Sequence, residues 1–250
     1  MTAFLISTLV VLGAPVPLLS PGTQFALHSR IPDHVFRIFS HDNITEPVRT
    51  IVLSATTQYN MTTLFVTFKN ARVALKQCGA LGAFDDLIPG AYKADLLRYC
   101  LVWLHGGWYA DLSANFVGDP RPLSRDSDLV VANDPGAAGA IWNGLFAARP
   151  RHPGMRAAVD AVIANVNSCF YGTRDLAPTG PILFGRVLQP YSKRVIPAHY
   201  HGERMHLGNP DLVHNKFEGY RAVYAQMGYN KDTTSYGHLY DARHIYRHCR

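Results

Sequence analysis

One stretch constrains this chain more than any other. From Tyr92 to His105, Leu96, Leu97, Cys100, Trp103 and Leu104 recur at helical spacing, and Gly106-Gly107 then ends the helix. Trp108 to Leu112 follows as a strand of aromatic and apolar residues. An apolar helix that turns at once into a strand fits a sheet covered by helices. Asp95 and Arg98 stand three residues apart on that helix, hence on one face. Asp111 closes the strand, and open α/β sheets gather ligands at the carboxyl ends of their strands.

The rest of the chain repeats this alternation. Val35-Phe36-Arg37-Ile38-Phe39 reads as a first strand around a central Arg, and Phe65 to Phe68 as a second. Ala71 to Cys78 looks helical and closes at Gly79. Leu129 to Ala132 and Ile141 to Ala148 read as further strands. His152 to Cys169 carries Met155, Val159, Val162, Ile163 and Val166 at helical spacing, and a shorter helix begins at Pro181. Beyond Pro190 the pattern weakens into an aromatic, His-rich tail of short elements. The prediction is an α/β protein with a mixed or parallel sheet flanked by helices. With 250 residues, 48% of them hydrophobic, one sizeable core and a single domain are expected.

The net charge of +6 suits an anionic partner. No Lys/Arg block, zinc-finger or RNA-binding signature is present, so nucleic acid is not the expected partner. No GxSxG elbow, P-loop or GxGxxG fingerprint supports acyl-transfer or dinucleotide chemistry. Of twelve histidines, the nearest cluster is His199-x-His201 with His206 and His214 further on. Its spacing shows no helical or hairpin logic, so a His-built zinc site is not expected. Cys78, Cys100, Cys169 and Cys249 lack a CxxC pair, and spacing alone leaves disulfides and buried thiols both open. Cys100, on the core face of its helix, reads as a plain buried thiol.

Residues 1–30 stand apart as an apolar leader, an anchor or a disordered extension. Phe4 to Leu19 is mostly apolar but broken by Pro15 and Pro17, and no Lys or Arg precedes Arg30. Any membrane association would run through residues 4–19. A real leader would place the protein in the Golgi or secretory lumen; otherwise it is cytoplasmic. The sequons Asn43-Ile44-Thr45 and Asn60-Met61-Thr62 fit a lumen but add little.

Taken alone, Asp95 and Arg98 read as a surface ion pair worth a few tenths of a kcal/mol. Their neighbours carry a resemblance. Lys93-Ala-Asp-x-x-Arg-Tyr, the later Gly-Gly-x-Tyr-x-Asp ending at Asp111, and Thr179-Gly180-Pro181 resemble the sugar-transferase family named for its DXD motif. That family includes initiating mannosyltransferases and capsular-polysaccharide transferases, and the glucosylating clostridial toxins share its core. The tail blocks Asn215 to Tyr220 and Leu239 to Tyr246 resemble the ends of capsular members.

The resemblance implies a glycosyltransferase-A-type, Rossmann-like fold over residues 31–250. It also implies a retaining hexosyltransferase fed by a nucleotide-diphosphate sugar, with Mn2+ or Mg2+. The acceptor would be a glycan, lipid or protein. By position, Asp95, Arg98 and Asp111 are the expected catalytic residues. Asp95 and Arg98 would hold the donor sugar, Tyr109 would line the nucleotide pocket, and Thr179, Gly180 and Pro181, counted with them among the donor-binding residues, would form a turn at the acceptor side of the cleft. Asp111 and Ser113 are the expected metal positions. Ser113 departs from the motif, standing where the second acid belongs, and a neutral hydroxyl is the weaker ligand for a hard cation. Asn115 or Asp119 could contribute instead, and Ser235 replaces a histidine common near the family's C-terminus. A degenerate relative that binds a nucleotide sugar or glycan without catalysis is the alternative.

Overall fold

The structure, a computed structural model, describes residues 30–40, 44–217, 219–227 and 236–249. The first strand, β1 (His34–Phe39), is buried in all but its leading residue. Helix α1 (Val48–Tyr59) crosses over to β2 (Thr62–Thr67), which pairs with β1 in parallel. The periodicity reading passed over α1, whose β-branched Val, Ile and Thr residues have low helix propensity. Its buried Val48, Ile51, Val52 and Ala55 nevertheless fall at helical spacing.

Three helices follow: α2 (Arg72–Gln77), α3 (Leu81–Asp86) and α4 (Gly90–His105). Strand β3 (Gly107–Ala110) then joins the other edge of β1, again in parallel. The turn between α4 and β3 requires both of its glycines. Gly106 has φ 66° and Gly107 φ 91°, the left-handed region in which a Cβ is strained. A Cβ on Gly106 would also lie 2.5 Å from Pro150 Cδ, and one on Gly107 would lie 2.3 Å from His34 Nε2.

The expected strand from Trp108 to Leu112 ends early, because Asp111 and Leu112 turn out of the sheet toward β4 (Ala114–Phe116). Strands β5 (Leu129–Asn133) and β6 (Ile141–Ala148) pair with each other antiparallel, and β6 runs antiparallel to β3. Helices α5 (Pro153–Asn167) and α6 (Pro181–Leu188) begin at the prolines that suit a first turn. Strand β7 (Arg194–Ile196) completes a six-stranded sheet of order β2-β1-β3-β6-β5-β7. The tail folds into β8 (Ala198–His201), β9 (Arg204–Gly208) and β10 (Asp211–Asn215), which extend β4 into a second sheet of order β4-β10-β9-β8. Helices α7 (Tyr220–Gln226) and α8 (Tyr236–Asp241) come last.

Period-2 alternation divides the large sheet between two cores. Phe36, Ile38, Tyr109 and Phe146 pack with α4, α5 and α6, while Val35, Trp108, Ala110 and Leu145 pack toward the second sheet. Helix α4 is buried from Leu96 through Val102 without a break, as expected of a helix enclosed on every side. The result is the predicted single-domain α/β fold, a mixed sheet flanked by helices. No described helix is long and apolar enough to cross a membrane. The expected leader up to residue 29, Asn43 and Ser235 lie outside the described residues.

The cysteine reading needs correction. Cys100 is no free thiol: it is bonded to Cys78 at the end of α2, with their Cα atoms 6.0 Å apart. Cys169, just past α5, is bonded to Cys249 across 80 residues. Pairing depends on which helices pack together, and spacing carries no record of that. Replacing Cys78 and Cys100 together by alanine is expected to lower stability by about 3 kcal/mol, from the loop that the bond closes. A urea midpoint that stayed put in that double variant would show the bond absent in solution.

Candidate active site

The chain leaves β1 toward β2 on one side and reaches β3 on the other. That reversal opens a crevice at the carboxyl ends of β1 and β3, the usual ligand position in an open α/β sheet. A cavity of about 760 Å³ lies there, bordered by Ser40, Asp111, Ser113, Trp142, Tyr220 and Tyr236. A smaller one of about 330 Å³ shares Arg98, Asp111 and Trp142 with it and reaches Asp95, Asn143 and Gly180. Both volumes fall in the range of small-molecule sites.

Asp95, Arg98 and Asp111 converge where the two cavities meet. Arg98 is the hub. Its Nη1 donates to Asp111 Oδ1 at 3.0 Å and to the Asn143 carbonyl at 2.8 Å, while Nη2 lies 3.3 Å from Asp95 Oδ1. Its guanidinium also covers the Tyr109 ring at 4.4 Å. With Asp95 8% and Arg98 6% exposed, this is a buried charge cluster, unlike the surface pair considered from sequence.

Asp95 is held by an inner set of partners. Thr179 Oγ1 donates to Oδ2 at 2.7 Å, and Asn143 Nδ2 donates to Oδ1 at 2.9 Å. The Tyr99 hydroxyl closes the ring, accepting from Asn143 at 2.8 Å and donating to the Thr179 carbonyl at 2.9 Å. Thr179 has no exposed surface, and its hydroxyl is engaged by Asp95. Gly180 and Pro181 do border the smaller cavity.

Tyr109 borders the larger cavity although it is only 1% exposed, and its hydroxyl donates to Asp111 Oδ1 at 2.7 Å. Asp111 Oδ1 therefore takes two donors, while its half-buried carboxylate still borders the cavity. Room at Oδ2 depends on a glycine: a Cβ on Gly144 would come within 2.6 Å of that oxygen and 2.3 Å of the Trp142 ring.

Burial works against the charges of Asp95 and Arg98. It pushes the Asp95 carboxyl up, although Arg98, Thr179 and Asn143 pull the other way. Burial also opposes the Arg98 charge, but Tyr109, Asp111 and Asp95 outweigh it, and Arg98 stays protonated. Burial raises Tyr99 and Tyr109 well above their ordinary values, so both remain hydrogen-bond donors.

Several residues of the site escaped the sequence reading. Asn143 is the polar interruption of the apolar strand Ile141 to Ala148, and buried polar groups require partners, so a signal was present. Arg37 is a second such interruption. Fully buried in β1, its Nη1 donates to the carbonyls of Asp111 at 2.6 Å and Ala114 at 2.8 Å, bracing the turn that carries the candidate site. Asn215 lies 102 residues from Ser113, and its Oδ1 accepts the Ser113 hydroxyl at 2.6 Å. The two alternatives considered for the missing acid lie elsewhere. Asp119 is committed to Arg121 at 2.7 Å, and Asn115 sits on β4 opposite His214.

The cleft thus offers one carboxylate, one hydroxyl and one amide oxygen at Asp111, Ser113 and Asn215. All-oxygen donors suit Mn2+ or Mg2+, and a single carboxylate is enough where phosphates and waters supply the rest.

No family model matches the chain. No curated protein matches it either. Among solved structures it is similar to the PaToxG glycosyltransferase, with a TM-score of 0.50 and 15% identity over 64% of this chain and 70% of that one. At that identity the likeness is one of architecture: the chain has a glycosyltransferase-like fold.

Proposed function

We propose that this chain is a retaining glycosyltransferase that moves a hexosyl unit from a nucleotide-diphosphate sugar to an acceptor hydroxyl on a glycan, lipid or protein. The observation that carries the reading is the convergence of Asp95, Arg98 and Asp111 at the crevice of a glycosyltransferase-like sheet. In this reading the larger cavity takes the nucleotide, with Tyr220 and Tyr236 as aromatic walls, and the smaller one takes the sugar and the approaching acceptor.

Asp111, with Ser113 and Asn215, would hold a Mn2+ or Mg2+ ion that neutralises the diphosphate. Arg98 adds a fixed positive charge beside the same oxygens, where negative charge grows as the sugar departs. The anomeric carbon takes on oxocarbenium character as its bond to the phosphate oxygen breaks, and the Asp95 carboxylate offsets that charge. The acceptor oxygen bonds to the anomeric carbon on the same face, and its proton passes to the departing phosphate oxygen. No side chain is assigned as general base.

A second reading, a nucleotide-sugar binder without turnover, draws on Ser113 and on Asp111 Oδ1 being already occupied by Arg98 and Tyr109. A thermal-shift panel of uridine and guanosine diphosphate sugars separates the two. Saturation near a hundred times Kd adds about 2.7 kcal/mol, or about 5–10 °C for a chain of this size. The expected result is such a shift for at least one donor, larger with Mn2+, together with release of the diphosphate. A shift without release on any acceptor favours the binder, and no shift from any nucleotide at millimolar concentration overturns both.

A further inference from the structure

The second sheet carries a feature outside the cleft. Strands β8, β9 and β10 form an antiparallel meander in which His199 lies directly opposite His206, and His206 directly opposite His214. Directly paired residues share a face, and on β9 the neighbours Met205 and Leu207 point into the core, so the three imidazoles stand together on the outer face. Their ring centroids are 5.5 Å apart for His199 and His206 and 4.3 Å for His206 and His214. The spacing that showed no hairpin logic in sequence has one after all: two tight turns bring the three positions into register.

A carboxylate completes the group. Asp211 Oδ2 lies 2.8 Å from His206 Nδ1 and 2.9 Å from His214 Nε2. Ligand-capable atoms of His199, His206 and Asp211 all lie within 4.8 Å of one another. Adjacent ligand atoms around a tetrahedral zinc stand about 3.3 Å apart, given bond lengths near 2.0–2.1 Å, so small side-chain rotations would suffice. Two imidazoles and one carboxylate suit zinc and its transition-metal neighbours, and differ in kind from the all-oxygen set in the cleft.

We propose that His199, His206 and Asp211 form a zinc-class transition-metal site that ties β8, β9 and β10 together, with His214 fixing the Asp211 carboxylate from the outer shell. Water fills the fourth position, as is common where the protein supplies three ligands. The site lies on the outer face of the meander, and β10 ends at Asn215, which accepts the Ser113 hydroxyl at the cleft. The metal thus steadies the strand that delivers one of the cleft's oxygen donors. The proposal is independent of sugar transfer.

The test uses the full chain without an affinity tag, loaded with zinc chloride, dialysed and measured for bound zinc, with Co2+ substitution as a spectroscopic second readout. Wild type is expected to retain about one zinc per chain and to show the intense visible bands of tetrahedral Co2+. His206→Ala and, at the exposed edge, His199→Ala are each expected to lose both signals. His214→Ala should weaken zinc by about 10- to 100-fold, the usual effect of removing an outer-shell partner. Asp111→Asn should leave zinc untouched. The proposal fails if wild type retains no zinc, if both His199→Ala and His206→Ala hold it as wild type does, or if Asp111→Asn abolishes it.

Discussion

Asp111→Asn is expected to cut turnover of every accepted nucleotide sugar by about 10³-fold, with the melting temperature nearly unchanged. The asymmetry follows from how the two carboxylate oxygens are used. Oδ1 accepts from Arg98 at 3.0 Å and from Tyr109 at 2.7 Å, and an amide oxygen can accept both bonds. Arg98 keeps Asp95 as its charge partner at 3.3 Å, so the fold retains most of its support. What disappears is the only negative charge among the three oxygen donors at the cleft, and hence the hold on a cation. Ser113→Ala is the contrasting case. It removes a neutral hydroxyl that already donates to Asn215, and turnover should barely move. Diphosphate release measured over a Mn2+ titration checks both. Wild-type rates in purified Asp111→Asn would falsify the site assignment.

Arg98→Met should unfold the protein more readily by about 3–5 kcal/mol, the usual consequence of removing one partner from a buried charge cluster. The substitution strands Asp95, a residue 8% exposed whose carboxyl is already pushed up by burial against the pull of Arg98. Without Arg98 that upward shift grows. A carboxyl whose folded pKa exceeds its unfolded value contributes stability at acid pH and loses it as pH rises through the folded pKa. The variant's deficit should therefore be small near pH 4 and full at neutral pH, whereas a lost packing contact would cost the same at both. Adding Asp95→Asn should recover part of the loss, because the amide still accepts from Asn143 while the stranded charge is gone. Urea midpoints at two pH values for the single and double variants measure all of this. A deficit independent of pH would mean that Arg98 acts by volume alone.

The two variants probe the two carboxylates of one cluster from different sides. Asp111 borders the opening, and its charge is free to act outward. Asp95 sits behind it, with both oxygens engaged by Thr179, Asn143 and Arg98. The four residues expected to line the site from the sequence thus divide in the structure: Tyr109 borders the larger cavity while holding Asp111, Gly180 and Pro181 border the smaller one, and Thr179 lies enclosed behind Asp95.

Much of this was legible without coordinates. Helices α4, α5 and α6 and strands β1, β3 and β6 were legible because apolar periodicity, a first-turn proline and a paired glycine stop are local signals. The charged candidates Asp95, Arg98 and Asp111 interrupt segments that otherwise read as core, but it was the resemblance carried by their neighbours that singled them out. Asn143 and Arg37 carried the same signal and were missed, because a buried polar residue announces a need for partners without naming them.

The tertiary structure alone decided which distant positions meet. The Cys78–Cys100 bond, the Ser113–Asn215 contact, the placement of Thr179 under Asp95 and the alignment of His199, His206 and His214 all depend on how strands and helices pack across tens of residues. Hydrophobic period and turn chemistry act over a few residues at a time. Register between separate elements is settled only when the whole core closes, and this chain's site is assembled almost entirely from such meetings.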